Sequence, residues 1–238
     1  MFLVIFEVQP RPERFDDYLD LAKHLKPELE AIDGFIDNER FKSKRHEGRV
    51  LSLSTWRDEK AVIRWRTHGE HHRVQEKGRF QVFEDYHLRV GEITADSQPP
   101  QGLEIEEKRF DETEVGEAKL LTITEITPAE GSALNAETIA TQIGLEAGRP
   151  GLIDHEIFES IYHEGKLALL ASWKDARSAR TWFLVKPQTG TVRHRKVRVI
   201  RDYGMFERRE APQFYREIKK ADAPQVAQVL DHQGVDHA

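Results

Sequence analysis

Three histidines form the densest cluster of titratable side chains in the sequence, and they follow a tryptophan. His68, His71 and His72 come three, six and seven residues after Trp65. A histidine can accept a proton from a phenol-type substrate or bind iron, because its ordinary pKa lies near neutrality. A large aromatic ring can stack on a flat substrate. The cluster therefore predicts a site in which Trp65 positions a ring while His71 or His72 handles a proton, with His68 contacting the substrate.

The helical phase leaves open which histidine faces the tryptophan. A continuous helix puts His68 and His72 on the face of Trp65, whereas a helix that ends at Gly69 resets the phase and favours His71. A solvated, charged helix end is the alternative for all three histidines. A zinc site is disfavoured, because the His-Glu-x-x-His spacing is missing and the sequence offers no evident third ligand.

Three further residues are candidates for substrate binding. Tyr86, which follows an aspartate on a predicted strand, has a hydroxyl that can donate a hydrogen bond into a cavity. Arg89 lies three residues further on and is a candidate for the same wall. Trp182 repeats the position of Trp65 in the second half of the chain. For each of these residues the alternative is a purely structural role.

Composition excludes several functional classes. The 238 residues include no cysteine, so disulfides, thiolate metal sites and cysteine nucleophiles are excluded, and a cytoplasmic location is expected. The net charge of −6 and the scattered basic residues argue against nucleic-acid binding. No apolar run approaches the roughly 20 residues of a membrane helix, so no membrane association is expected. Phosphate loops, nucleophile elbows and dinucleotide fingerprints are also missing.

The sequence repeats itself after a shift of 117 residues. Across residues 33–86, 16 of 54 positions are identical without a gap, where chance gives on the order of three. The matched pairs include Trp65 with Trp182, and Asp85-Tyr86 with Asp202-Tyr203. The chain is therefore expected to contain two copies of one unit.

Each copy is predicted to have the order βαββαβ, which is the ferredoxin-like unit. In the first copy the pattern of apolar residues predicts strands over 2–9, 35–43, 49–56 and 79–93, and helices over 13–32 and 59–68. Pro27 predicts a kink or a break in the first helix. The predicted parts of the chain are a first domain (1–94), a solvated acidic linker with a short strand near 103–105 (95–117), a second domain (118–206), and a C-terminal helix near 212–220 with a frayed tail (207–238).

The fold class is therefore α+β, with two ferredoxin-like units fused in tandem. Two helices cover one face of each sheet, and the other face needs a partner surface. Packing the two open faces together gives an intramolecular dimeric α+β barrel. Exposed strand edges and an apolar helix face are also compatible with a homodimer of the whole chain.

These residues resemble the antibiotic biosynthesis monooxygenase family of dimeric α+β barrels. The first half carries the resemblance along nearly its whole length: Gly34-Phe35, Ser54-Thr55-Trp56-Arg57-Asp58-Glu59, Trp65, and His71…Gln75…Gly78-Arg79. The second half keeps Ser172-Trp173-Lys174-Asp175 and Trp182, but Gln188 stands where the first half has His71. This difference predicts that the first half carries the site and that the second half is degenerate.

The resemblance implies several activities. Some members oxidise aromatic polyketides to quinones with O₂ and no cofactor, which makes this chain a candidate cofactor-independent monooxygenase for a small aromatic or polyketide-like substrate. Others degrade heme through an Asn, Trp and His trio. Here Trp65 fits that trio, but Phe6 or Glu7 stands at the Asn position and Gln75 at the spacing expected for the His. A non-catalytic binding or scaffold barrel remains the other alternative. A cavity in the first half alone favours the enzyme.

Overall fold

A computed structural model describes residues 1–187 and 190–218, and it contains eight strands and five α-helices within them. The first unit precedes a connector at residues 97–119, and the second unit follows it. The elements are, in chain order, β1 (Phe2–Pro10), α1 (Phe15–Glu30), β2 (Phe35–Ser43), β3 (Val50–Trp56), α2 (Glu59–Arg66), α3 (Gly69–Lys77), β4 (Phe83–Asp96), β5 (Leu120–Thr127), α4 (Ile139–Gln142), β6 (Leu152–Ser160), β7 (Leu167–Trp173), α5 (Ala176–Arg180) and β8 (Thr191–Gly204).

The eight strands close into one barrel in the order β1-β3-β2-β6-β7-β5-β8-β4. All pairings are antiparallel, and the two units join where β2 meets β6 and where β4 meets β8. Side chains alternate across each strand, so every second residue points into the barrel. Many of the inward side chains are apolar and fully buried, among them Leu3, Ile5, Leu121 and Ile123. The helices lie outside the barrel.

Contacts between the units are reciprocal. His46 of the β2–β3 turn reaches Glu156 on β6 (Nδ1 to Oε1, 3.0 Å), and His163 of the β6–β7 turn reaches Glu39 on β2 (2.9 Å). Position 46 matches 163 and position 39 matches 156 in the sequence repeat. Contacts of this kind, made in both directions by equivalent residues, are typical of an interface with two-fold symmetry.

Two buried arginines repeat the same reciprocity inside the barrel. Nη1 of Arg89 on β4 donates to Ser172 Oγ in the second unit at 3.1 Å. Nη1 of Arg195 on β8 donates to Thr55 Oγ1 in the first unit, also at 3.1 Å. The two arginines occupy equivalent positions on β4 and β8, and each links its own unit to the other one.

Strand pairing corrects one match of the sequence repeat. Tyr86 lies opposite Val8, and Val192 lies opposite Ile126 in the equivalent strand pair, so the counterpart of Tyr86 is Val192. Tyr203 is not its structural counterpart. The ungapped match was wrong here because residues 183–187 of the second unit form no helix where the first unit has α3: Tyr86 lies 21 positions after Trp65, but Val192 lies only 10 positions after Trp182.

The helices depart from prediction at two places. Helix α1 continues through Pro27 without a break, since the Ala31 N–H still bonds to the Pro27 carbonyl at 3.1 Å. The second predicted helix, over 59–68, corresponds to α2, and α3 follows it after Thr67 and His68 in a span where no element was predicted. No helix in the described part of the chain is long and apolar enough to cross a membrane.

The connector is not a freely solvated linker. Leu103 and Ile105 form no strand, but they pack against the barrel core. The backbone N–H groups of Lys108 and Arg109 donate to the buried Glu92 carboxylate at 2.8 and 2.9 Å. The acidic composition predicted exposure, but these contacts bind the connector to the barrel.

The C-terminal segment contains no helix over residues 212–218, contrary to prediction. It runs in irregular conformation across the first unit and is fixed there by side-chain hydrogen bonds. Residues 219–220 of the predicted helix, and the predicted tail, lie outside the described residues.

Candidate functional site

A cavity of about 190 Å³ lies in the first unit, between the outer face of its sheet and its helices. We call it the first-unit cavity. Its sheet wall comes from every second residue of the strands, and its helix wall from the inner faces of α1, α2 and α3. The largely apolar lining includes Val4, Phe6, Leu25, Leu29, Val62, Trp65, Val74, Phe83 and Leu88.

Trp65 and His71 form one wall of the cavity as a stacked pair. Their ring centroids are 4.0 Å apart, and the ring planes differ by 13°. The break between α2 and α3 makes this possible: α2 ends at Arg66, His68 is extended with ψ near 129°, and α3 starts at Gly69. The reset of helical phase thus brings His71, rather than His72, onto the tryptophan.

His71 is held as a neutral ring. Its Nδ1 lies 2.9 Å from the Trp65 carbonyl oxygen, which can only accept, so Nδ1 carries the proton and Nε2 is the free acceptor. Burial lowers the pKa of His71 to about 4. A histidine with this pKa accepts a hydrogen bond at neutral pH but is a weak base.

The other two histidines of the cluster point away from the cavity. His68 stacks on Trp65 at 5.9 Å, and its Nε2 is 3.6 Å from Glu28. His72 is exposed, and its Nδ1 is 3.2 Å from the Tyr215 hydroxyl. Both are absent from the cavity lining. Of the predicted site residues, Trp65, His71 and Tyr86 therefore line the cavity together, whereas His68 and His72 do not.

The Tyr86 hydroxyl is hydrogen-bonded to two arginines that the sequence did not indicate as site residues. Its hydroxyl accepts from Arg79 Nη1 at 3.0 Å and from Arg208 Nη1 at 2.7 Å. Arg79 is only 2% exposed and lies in the short π-helical turn Gly78–Val82, which follows α3 directly. Arg79 belonged to the family-like motif, but a single arginine in a charged stretch gives no signal that it is buried.

The C-terminal segment closes one side of the cavity. Gln213 Nε2 donates to the Arg66 carbonyl at 3.0 Å, and the Tyr215 hydroxyl donates to Gln75 Oε1 at 3.1 Å. Tyr215 also stacks on His72 at 5.5 Å. Residues that follow the second unit thus help to enclose a cavity of the first, which the sequence repeat alone could not indicate.

Arg89 and Trp182 do not line the first-unit cavity. Arg89 points into the barrel, where it pairs with Glu7, because its position on β4 has the opposite parity to Tyr86 and Leu88. Trp182 packs in the core of the second unit, stacked on Trp173 at 6.0 Å, with Nε1 donating to the Ile143 carbonyl at 3.2 Å. Both residues have structural partners that account for them.

A second depression of about 450 Å³ lies at one mouth of the barrel. Its charged walls are internally paired: Arg89 bonds to Glu7, and His87 Nε2 lies 2.6 Å from Asp202 Oδ1. Charges that already neutralise one another offer little to a ligand. The first-unit cavity differs, because it is mostly apolar and its arginines have no such partners.

Heme does not fit the first-unit cavity. Its volume of about 190 Å³ is below the roughly 300–1,000 Å³ of pockets for drug-sized ligands, and heme is a large ligand on that scale. Phe6 lines the cavity where the heme-degrading pattern needs an Asn.

Comparison with known proteins gives a match along nearly the whole chain. The antibiotic biosynthesis monooxygenase family model matches residues 1–77. The chain is 44% identical over 220 residues to a protein of Pyricularia oryzae named Jasmonate monooxygenase ABM, which covers 90% of this chain and 98% of that protein. It is also 35% identical over 92 residues to the uncharacterized protein YqjZ of Bacillus subtilis, covering 39% of this chain and 78% of that protein.

One solved structure, described as an antibiotic biosynthesis monooxygenase, is 18% identical and aligns with a TM-score of 0.36. The alignment covers 42% of this chain and 100% of that one.

Proposed function

The chain belongs to the antibiotic biosynthesis monooxygenase family, and we propose that it is a monooxygenase whose substrate binds in the first-unit cavity. The observation that carries this proposal is the largely apolar cavity walled by the stacked Trp65 and His71. An apolar cavity with a few convergent polar groups is the usual form of a small-molecule site.

The substrate class is a small, mostly apolar organic molecule. The relative from Pyricularia oryzae is named for jasmonate, and its similarity extends through both units of this chain. We propose that the present chain takes a molecule of that kind, or a flat aromatic or polyketide-like molecule of similar size. Trp65 serves as the platform on which the substrate lies.

His71 orients the substrate through a hydrogen bond. Its free Nε2 accepts from a hydroxyl or enol of the substrate, since Nδ1 is bonded to the Trp65 carbonyl. Holding a phenol-type proton outright is disfavoured, because the pKa of His71 is lowered to about 4. His71 is therefore proposed as a neutral acceptor, in place of the general base that the sequence suggested.

The proposed reaction needs no cofactor when the substrate itself supplies all four electrons. A methylene that becomes a carbonyl takes up one oxygen atom of O₂, and its two hydrogen atoms leave with the other oxygen as water. The apolar lining keeps bulk water from the reacting carbon.

The second unit completes the barrel. We propose that the chain is an internal dimer produced by tandem duplication, in which only the first unit keeps a site. The reciprocal contacts between His46 and Glu156 and between His163 and Glu39 support this proposal. Pairing of two chains, and a cytoplasmic location, remain proposals. A mass of about 27.6 kDa by light scattering would exclude the homodimer.

Turnover under ¹⁸O₂ tests the proposed function. Purified protein is incubated with jasmonic acid and with an anthrone, and products are analysed by mass spectrometry. One ¹⁸O per product molecule is expected, with rates reduced at least tenfold in Trp65→Ala and His71→Ala. The exposed Phe183→Ser serves as the control. If both site variants keep the wild-type rate, the first-unit cavity is not the reaction site.

A further inference from the structure

Three arginines and three tyrosines lie together at one end of the first-unit cavity. We call them the arginine–tyrosine cluster: Arg66, Arg79, Tyr86, Tyr203, Arg208 and Tyr215. The Arg208 guanidinium lies over the rings of Tyr215 and Tyr203, at 5.3 and 5.7 Å from their centroids. All six residues line the cavity.

The positive charge of the cluster has no carboxylate partner. Within residues 1–187 and 190–218, no Asp or Glu oxygen lies within 4.0 Å of the side-chain nitrogens of Arg66, Arg79 or Arg208. Glu59 is the one carboxylate in the described lining, and Arg109 binds it at 2.7 Å. Arg79 is 2% exposed and its Nε has no hydrogen-bond partner, as is also true of Arg66 Nε. A buried cation without a counter-charge is costly to the free protein.

The tyrosines add donors and no negative charge. Burial, together with the nearby Tyr86, raises the pKa of Tyr203 and of Tyr215 to about 12, so both stay protonated. The Tyr86 oxygen already accepts two hydrogen bonds from Arg79 and Arg208, so its own proton is directed at a third acceptor. The cluster is therefore a set of donors that face an otherwise apolar space.

We infer that the arginine–tyrosine cluster binds the carboxylate of an organic acid whose apolar body lies on Trp65. Guanidinium groups match a carboxylate in charge and in planar geometry, and such hydrogen bonds are among the strongest in proteins. The inference deepens the proposed function and rests on it for the identity of the cavity. It defines the substrate class as small apolar molecules with one anionic end.

Arg208 shows that part of the carboxylate site lies outside the first unit. It follows β8, the last strand of the second unit, and bonds to the Gln213 carbonyl at 2.9 Å within the C-terminal segment. The first unit alone supplies Arg66, Arg79 and Tyr86. The second unit thus contributes a binding residue to the first-unit cavity, although its own helix layer provides no comparable arginine cluster in the described part of the chain.

Binding of matched acid and ester pairs tests the inference apart from turnover. Isothermal titration under anaerobic conditions compares jasmonic acid with methyl jasmonate, and phenylacetate with its methyl ester. The variants are Arg79→Gln and Arg208→Gln. Arg209→Gln is the matched control, because Arg209 is adjacent in sequence but exposed and paired with Glu207. Arg79→Lys, which keeps the charge, covers the risk that Arg79→Gln fails to fold.

At least one acid is expected to bind ten or more times more tightly than its ester to the wild-type chain. That preference should shrink to about twofold in Arg208→Gln and in Arg79→Gln, and persist in Arg209→Gln and in Arg79→Lys. Equal binding of acid and ester, no binding of any acid, or an unchanged preference in Arg208→Gln would overturn the inference. Acid binding without ¹⁸O incorporation would reject the proposed reaction and keep the carboxylate site.

Discussion

The helix layers of the two units differ far more than their strands. In the first unit α1 has 16 residues, and α2 and α3 follow β3 in succession. In the second unit α4 has 4 residues and α5 has 5, and the described residues after α5 contain no counterpart of α3. Trp65 consequently borders open space, while its counterpart Trp182 fills the core. The barrel strands thus define the fold, and the length of the helices that cover them determines whether a cavity forms.

The same difference applies to the histidines beside the two tryptophans. His71 is carried by α3 and stacks face to face on Trp65. His194 is carried by β8 and meets Trp182 edge to face at 5.4 Å, with its Nδ1 2.9 Å from Thr124 Oγ1. Both histidines are partly buried, but only His71 lines the first-unit cavity. A neutral histidine near a tryptophan is therefore not by itself the mark of a site in this protein.

The largest effect is expected from Trp182→Ala. The ring is 6% exposed and packs in a full core, so its removal should lower the free energy of unfolding by about 3–5 kcal/mol. Urea unfolding followed by circular dichroism measures the change. Oxygenation by the folded fraction should persist. A loss below about 1 kcal/mol would mean that the second unit also has open space around its tryptophan.

Trp65→Ala should show the reverse pattern. Turnover should fall at least tenfold, equivalent to about 1.4 kcal/mol of transition-state stabilisation. The free energy of unfolding should fall by less than in Trp182→Ala, because one side of Trp65 already faces a cavity. Parallel unfolding and rate measurements check both numbers. Equal destabilisation by the two substitutions would break the contrast between the units.

Lowering the pH should destabilise the folded chain, because each unit contains one histidine whose pKa is lowered. The pKa of His71 and of His194 is lowered to about 4, chiefly by burial, from 6.5. Below pH 6.5 the unfolded chain binds a proton that the folded chain refuses, so stability is full at pH 7 and falls toward pH 4. Each histidine should account for about 1–2 kcal/mol between pH 7 and pH 5.

Glutamine at either histidine position should flatten its part of that pH profile. His71→Gln and His194→Gln are each compared with wild type by urea unfolding at several pH values between 5 and 7. A profile unchanged in either variant would contradict the burial of that ring. Only His71→Gln should also affect turnover.

The smallest effect is expected from Phe183→Ser, next to Trp182 in the sequence. Phe183 is 82% exposed, so the free energy of unfolding should change by less than about 0.5 kcal/mol and turnover should stay the same. Thermal unfolding and the oxygenation assay check this outcome. A strong loss of turnover would indicate a functional surface on the second unit.

The strands, the paired tryptophans and Trp65 could be predicted from the sequence. Alternating apolar residues give each strand a definite buried face, and Trp56 and Trp173 come at the same point of the repeat. The loss of α3 could not be found by an ungapped comparison, which paired Tyr86 with Tyr203. Gln188, the proposed counterpart of His71, lies outside the described residues.

The cationic end of the site could not be predicted from the sequence for a physical reason. A buried arginine such as Arg79 looks like any surface arginine in a charged stretch, because burial depends on contacts with distant residues. Arg208 lies in no predicted element and Gln213 in the C-terminal helix that was wrongly predicted, so nothing local indicates that this segment crosses the first unit. The alternation rule would have separated Arg89 from Tyr86, since they differ by an odd number of positions.

The central claim is that the first-unit cavity is the substrate site and that the second unit has no equivalent one, and a crystal structure with jasmonic acid tests it most directly. We expect one ligand per chain, with its apolar part on Trp65 and its carboxylate within hydrogen-bond distance of Arg79 or Arg208. A ligand beside Trp182, or one in the charged mouth of the barrel near Arg89, would contradict the account.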